Sequence, residues 1–580
     1  MILQELHDYY LRKESNLAPD GLEWRNIPLL IELTPDGKVV NILSSDAEYL
    51  VPQVPKRANT IDPALLWDNA EYVLGIPDQK KLAARNPDKY RERVTAMHDA
   101  FRARINALPD KSKSDLGVGA VFAFYESNPV IQLQRFQLWV TIRDKNPNMA
   151  FRIQGDVNLV CQRVAPPAST EAGSDDVSGF CLITGEAVNI QRLHPPIKGV
   201  RDKPGSPSQK NIVSVNDGEN PSFASYAKSQ AYNSPVGKQQ AFRYATALNY
   251  LLRKGSSQKL QIGDATTVFW ASRESRLEND FAAFFDEPPE DNPDAGTKAV
   301  AELLAAVEQG VEKTFDNQTR FFVLGLAPNS ARIAIRFWHV GTVAEMAERI
   351  ARHFQDIRIV PPADRHKEPQ FLSVRLLLRS IAVASSKWPD GDPEKVPPNL
   401  GGELMRAILE GLPYPETMFH GAIRRIRAGE AVSYPRAAIL KACLNRRRNS
   451  KEEKVQMSLD SSNTNSGYRL GRLFAVLERT QEEAAGGHGK INATIRDRFY
   501  GAASSAPAMV FPMLLRLKNH HLGKIANVGR RKNLEALIGE IIDGLPPRFD
   551  PHLSMDNQGR FAVGYYHQRM HPSTYGKQGD

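Results

Sequence analysis

The sequence predicts an α+β protein, with a mixed α/β amino-terminal portion followed by an all-α carboxy-terminal helical bundle. Short strand-like runs separated by turn residues recur as far as Trp338, and strand signals nearly vanish after residue 370. Beyond that point apolar residues return at helical spacing: Leu470, Leu473, Phe474 and Leu477 form one stripe, and Leu534, Leu537, Ile538, Ile541 and Ile542 another.

Along the chain, IPLLIELTPDGKVVNIL offers two strands around Pro35-Asp36-Gly37, a hairpin signal. Asp62-Pro63 followed by ALLWDNAEYVLG predicts a helix, with a cap, a proline at its first turn and Gly75 as its stop. Further strands are expected at Ala120–Tyr125, Met149–Gln154, Leu159–Val164 and Thr266–Ala271. A helix is expected from Pro235 to Lys254, capped by Ser234, with Ala241, Tyr244, Ala245 and Leu248 on one face. From Arg320, FFVLGL and ARIAIRFW read as a hairpin turning at Pro328-Asn329, followed by a helix over Val343–Ile357; this β-β-α order resembles part of an RRM-like unit. Ala165–Ser178 and Asp286–Thr297 read as linkers or mobile loops. The expected division is 1–370 (mixed α/β), 371–456 (helical connecting region) and 457–580 (helical bundle).

With 580 residues, 41% hydrophobic and 24% charged, the chain is long enough for several cores. No run approaches the roughly 20 apolar residues of a membrane helix. Glu5 and Asp8 stand where a secretory signal needs basic residues, and three cysteines are too few for a disulfide framework. The expectation is a cytoplasmic protein with no membrane partner. The formal charge is +9, and Met457–Asp580, with 16 Lys/Arg against 11 Asp/Glu, carries +5 of it. Such an excess favours a polyanionic partner.

Candidate chemistry is sparse. Cys161, Cys181 and His194 lack the close pair and the fourth ligand of a structural zinc site. His520 and His521 are adjacent on a helix and diverge by about 100°, so they face solvent or nucleic acid rather than one ion. Gly117-Val118-Gly119 lacks the rest of a phosphate loop, and the acidic runs Glu274–Asp280 and Asp286–Asp294 read as solvated surface. No GxSxG occurs. The sequence therefore predicts no catalytic residue, no cofactor and no metal. Basic segments stand out instead: Lys56-Arg57, Lys198 to Lys210, and Arg446-Arg447-Arg448.

Along nearly its whole length the chain resembles the large subunit of the type I-C CRISPR surveillance complex, Cascade. The resemblance rests on MILQEL at the start, LWDNAEYVLG (Leu66–Gly75), CLITGEAVNIQRLHPPIKGV (Cys181–Val200), and TALNYLL with QIGDATTVFWA between Thr246 and Ala271. It continues in FFVLGLAPNSARIAIRFW (Phe321–Trp338), GRLFAVLERTQ (Gly471–Gln481) and GYYHQR (Gly564–Arg569). After Val200 the chain departs from the family's Gln-Ser-Ser-Gly-like loop and reads RDKPGSPSQKNIVSVN.

The resemblance implies a non-catalytic subunit in antiviral defence that reads the PAM beside the target, stabilises the displaced strand in the R-loop and helps to recruit a helicase-nuclease. Its implied partners are crRNA, target DNA and the backbone, repeat-tag-binding and small subunits. A metal-dependent nuclease and a general nucleic-acid-binding scaffold are the alternatives. Since loops can place Lys, Arg, Asn or Gln in a groove, Lys56, Arg57, Asn59, Lys203, Gln209 and Lys210 are the expected PAM readers, with Asn69 a weaker candidate because a structural hydrogen bond suits it better. The residues expected to guide the displaced strand are Arg469, Arg472, Arg496, Arg498, Arg516, Lys518, Arg530, Arg531 and Lys532, with Arg469 and Arg472 expected on the polar side of their helix. The resemblance further implies a small subunit made by internal translation. Lys451-Glu452-Glu453 can be encoded with AGGAGG, and Met457 follows Lys454, Val455 and Gln456, so the expected product has 124 residues. Met405 is the second candidate start.

Overall fold

The computed structural model describes residues 1–54, 60–84, 86–164, 177–200, 210–215, 228, 230–286, 295–310, 316–330, 332–362, 371–447, 453–487 and 490–571. The chain divides into two compact units, one comprising Met1–Gly199 and Gln209–Tyr250, the other Val200–Ser208 and Leu251–Asp580.

In the first unit, β1 (Leu29–Leu33) and β2 (Val39–Ser44) form the expected hairpin, and β3 (Trp67–Asn69) and β4 (Asn148–Ile153) complete a sheet ordered β2-β1-β4-β3. β1 and β4 run parallel, because the chain between them crosses over through helices. At the hairpin turn Gly37 has φ +81, and a Cβ there would stand 2.6 Å from that of Ala123. The hydroxyl of Thr34 donates to Asp36, Lys38 pairs with the same carboxylate at 2.9 Å, and together they hold Asp36 down at about 2.

Three sequence expectations change in this unit. Ala120–Tyr125 is helical, within Leu116–Glu126, where Asp115 accepts from the N–H groups of Gly117 and Val118. Its run LGVGAVFAFY is apolar throughout, so period 2 and period 3.6 are indistinguishable, and burial of Val118, Val121 and Phe124 decides for the helix. Leu159–Val164 closes as a single turn of 3-10 helix, Val160–Gln162, stabilised by the Gln162 side chain accepting from Leu159 N–H at 2.8 Å. After Pro63 the chain bends at Leu65 and Leu66, where Leu66 is left-handed (φ +60), and then enters β3; the helix begins only at Ala70, ending at Leu74 with Gly75 left-handed. The later helix spans Lys238–Leu252, beginning after Ser234 and Pro235, and buries Ala241, Tyr244, Ala245 and Leu248 as expected.

The second unit carries an antiparallel sheet ordered β8-β7-β6-β5, from β5 (Lys259–Ile262), β6 (Ala265–Ala271), β7 (Arg320–Asn329) and β8 (Arg332–Thr342). Helix α1 (Val343–Ile357) follows from a reciprocal cap between Thr342 and Glu345, confirming the β-β-α order. Then come α2 (Leu400–Glu410), α3 (Glu416–Arg427), α4 (Tyr434–Arg446), α5 (Ser466–Ala484), α6 (Ile495–Ala503), α7 (Pro507–Lys524), α8 (Val528–Asp543) and α9 (Met555–Met570). No strand follows β8 among the described residues. One apolar core runs from Phe269, Phe321 and Phe337 on the sheet through Ile350, Leu404 and Phe419 to Phe474 and Phe561. The expected boundaries at 370/371 and 456/457 therefore fall inside one unit, because sheet and bundle bury their apolar faces against each other.

The bundle is organised by the crossing of α5 and α9. Gly467 meets Asn557, Gly471 meets the backbone of Phe561 and Tyr565, and Gly564 meets that of Tyr468, so a Cβ at any of the three would collide with main-chain atoms. The matched order of these contacts means that the two helices run in the same direction. Around the crossing, Tyr565 donates to Glu478 at 2.6 Å, Arg569 pairs with Glu482 at 2.9 Å, and Tyr468 hydrogen-bonds the buried ring of His567 at 2.9 Å.

This packing makes two outcomes measurable. Gly471→Ala pushes two backbones apart and lowers stability by about 1–3 kcal/mol or more, read as a lower denaturant midpoint, whereas Gly523→Ala on open α7 surface leaves it within about 0.5 kcal/mol or raises it. Burial, reinforced by Arg446 at His353 and Lys441 at His567, lowers both imidazoles to about 3. The unfolded chain protonates them below about pH 6.5, so the native state is left binding fewer protons. Their contribution is complete above that pH and is lost as pH falls from about 6.5 towards 3. Urea titrations across this window show the decline, and His353→Gln reduces its slope.

Candidate nucleic-acid interface

Lys56, Arg57, Asn59, Lys203 and Gln209 lie outside the described residues. Lys210 is described and buried, at 2% exposure, with its backbone N–H and C=O both paired to Ile197 at 3.1 and 2.7 Å. The bridge to Ile197 draws it inward, which corrects the expectation of an exposed groove-reading lysine. Asn69 stands at the helix start rather than inside it. Its Oδ1 accepts from Glu71 N–H at 3.1 Å and Tyr72 N–H at 3.4 Å, the structural hydrogen bond that its sequence position favoured.

Eight of the nine basic residues of the bundle separate into two groups of four, with Lys518 between them. Arg472 is 2% exposed and donates to Gln568 at 3.0 Å, and Glu540 lies 3.6 Å away. It does not lie on an open polar face: α5 is enclosed by α9 and α8, which leaves it no such face at Arg472. Arg469 donates to the carbonyls of Asn463 and Gly544, Arg496 to that of Gly429 at 3.2 Å. Arg530 forks onto Glu483, with contacts of 2.7 to 3.0 Å, because it falls one turn before buried Leu534 on the inward row of α8. These four guanidiniums have protein partners. Lys518 is half-buried in the row of Leu514 and Leu522. Arg498, Arg516 and Lys532 are exposed and Arg531 is half-exposed, and none has an ion-pair partner among the described residues.

Arg446 and Arg447 are structural. Arg446 is buried, paired with Asp356 and 4.3 Å from the ring centre of Tyr414; Arg447 joins Glu416 at 2.7 Å to Asp556 and covers Phe419. Two exposed arginines not singled out from the sequence, Arg424 and Arg427, lie at the end of α3. Gly429 just beyond them accepts from Arg496 on α6, which brings the ends of α3 and α6 together beside Arg498. The run RRIRAG was the available signal.

Upstream of α5, a short strap is stitched to the core. Glu453 C=O accepts from Arg560 at 2.8 Å, Val455 exchanges two hydrogen bonds with the Asn445 side chain, and Met457 C=O accepts from Val360 N–H at 2.8 Å. Cys161, Cys181 and Cys443 are buried and free, and burial pushes the Cys443 thiol up to about 12. Cys181 Sγ accepts from the N–H groups of Ile183 and Gly237. Among the described residues no group of three or more His, Cys, Asp or Glu side chains is placed to hold a metal ion, and no helix is long and apolar enough to cross a membrane.

Residues 6–572 match a family of CRISPR-associated proteins. That family is Cas_Csd1, and the chain belongs to it. Membership supports a Cascade-type large subunit. No curated protein matches the chain.

The division of the basic residues predicts unequal effects on DNA binding. Neutralising Arg498, Arg516, Arg531 and Lys532 to Gln flattens the salt dependence of binding by roughly 0.7–0.9 log units for each phosphate left without its cation. Arg472→Gln and Arg530→Gln leave the slope unchanged and lower the melting temperature instead. Titrations at several salt concentrations with parallel melts separate the two groups.

Proposed function

We propose that the chain is the non-catalytic large subunit of a type I-C Cascade complex, with crRNA, target DNA and the other Cascade subunits as partners. Its amino-terminal loops read the PAM beside the target. Its helical bundle holds the displaced strand of the R-loop through Arg498, Arg516, Arg531 and Lys532, with Arg424 and Arg427 at the neighbouring end of α3. The assembled complex then presents a docking platform for a helicase-nuclease. The observation that carries this reading is the family match spanning residues 6–572. The exposed basic surface of the bundle supports it, since phosphate contacts need cations that the fold has not already used: Arg498, Arg516, Arg531 and Lys532 have no ion-pair partner among the described residues, whereas Arg427 also donates to Gln558 at 3.5 Å.

The test is binding of the assembled complex to duplexes that differ only in the few base pairs flanking the target. PAM reading gives affinities that differ by about 1–3 kcal/mol per altered base contact, whereas a general scaffold binds them all alike. Cleavage by the purified chain alone with magnesium or manganese ions would instead favour the nuclease reading.

The same gene supplies the small subunit from an internal start at Met457. The 124-residue product carries α5 through α9 complete, with their mutual apolar faces. Expression with a carboxy-terminal tag yields a second, short band that copurifies with the complex, and silent recoding of Lys451–Glu453 removes it. A band that survives recoding of both this stretch and the Met457 codon refutes the assignment.

A further inference from the structure

Helix α7 presents an unusual outward face. Met509 is 81% exposed, Met513 38% and Leu517 37%, spaced four residues apart and covering about 12 Å of helix. Arg516 and His520 lie on the same side, seven and eleven residues after Met509, and both are exposed. The inward side of α7 is occupied by Val510, Phe511, Leu514 and Leu522. The bundle therefore does not need the outward apolar groups for its own core.

Charge limits what this face can accept. From Arg498 to Leu534 the sequence contains no Asp or Glu, while it holds Arg498, Arg516, Lys518, Lys524, Arg530, Arg531 and Lys532. A partner helix requires an apolar groove. Here the surface is a single ridge of separated side chains with cations among them. Single-stranded nucleic acid fits better, because its unstacked bases pack on apolar, imidazole and guanidinium surfaces while its phosphates take the cations. A duplex has its base faces already stacked and gains only the phosphate contacts.

We propose that the outward face of α7 is a base-packing surface for single-stranded DNA, with Met509, Met513 and His520 against the bases and Arg516 at the backbone or stacked on a base. This rests on the strand-holding role proposed above and adds to it a physical basis for preferring a single strand to a duplex. The surface discriminates by hydration: bases without stacking partners bury apolar area there that paired bases cannot offer.

The experiment uses the full chain and three fluorescent probes, an oligothymidylate and an oligouridylate of about 16 nucleotides and a duplex of matching length. The variant Met509→Gln/Met513→Gln/His520→Ala changes only exposed side chains, and an unchanged melting curve verifies its fold. The expected result is loss of single-strand affinity by about tenfold with duplex affinity and salt slope unchanged. A loss confined to the oligouridylate, with oligothymidylate binding undiminished, overturns DNA as the occupant. Equal losses on strand and duplex, or no loss on either, overturn the proposal. Retained oligonucleotide binding with lost association of the other complex subunits also overturns it, and assigns the face to a protein. The strand-holding role is tested separately by the charge-neutral variants: an unchanged salt slope there defeats that role, whereas a flattened slope with an undiminished single-strand preference in the methionine variant defeats only the base-packing surface.

Discussion

The main-chain contact between α5 and α9 is the constraint on which the second unit depends. Two helices meet at glycine because neither Gly471 nor Gly564 has a side chain to hold the backbones apart. That approach brings Tyr565 and Arg569 within reach of Glu478 and Glu482, and Tyr468 within reach of His567. Two carboxylates only 2–3% exposed are tolerable there because fixed donors surround them. A wider crossing would leave those charges buried without partners, so packing and electrostatics in the bundle depend on the same contact.

The same geometry separates net charge from available charge. Met457–Asp580 is basic by sequence, yet several of its guanidiniums are used internally: Arg472 on Gln568, Arg479 and Arg530 on Glu483, Arg560 on a main-chain carbonyl, Arg569 on Glu482. Bonded guanidiniums hold the fold. What faces solvent is concentrated along α7, the start of α8 and the neighbouring ends of α3 and α6, so the positive field is patterned rather than diffuse.

Much of the architecture was legible in the sequence because its signals had one physical reading. Pro35-Asp36-Gly37 demands a turn, and the Leu470 and Leu534 stripes fit only a helix. LGVGAVFAFY had two readings, since a run that is apolar at every position carries no period. The division between the units was hidden for another reason: β5–β8 read as part of the α/β portion, and only three-dimensional packing shows that Phe269 and Phe474 share a core. For the interface, sequence spacing located the basic helices but not the direction in which each side chain points. Arg469 and Arg472 are polar residues on an apolar-striped helix, and nothing local to α5 announces that α8 and α9 close over Arg472. Arg424 and Arg427 were missed because their neighbour Arg498 is distant in sequence.

The strap ahead of α5 has a consequence for polypeptides of different lengths. Arg560 is fully buried and gives one of its N–H groups to Glu453 C=O, four residues before Met457. A chain initiated at Met457 has no such carbonyl, nor the Asn445 and Val360 partners that pin the strap, although it keeps the crossing of α5 and α9 intact. Removing one buried acceptor costs about 1–3 kcal/mol unless water or another surface replaces it. Two proteins read from one frame would thus share the sequence of α5 to α9 and differ along this flank: in the long form the strap and α4 cover Arg560, and in the short form the same face of α9 is open to water or to a neighbour.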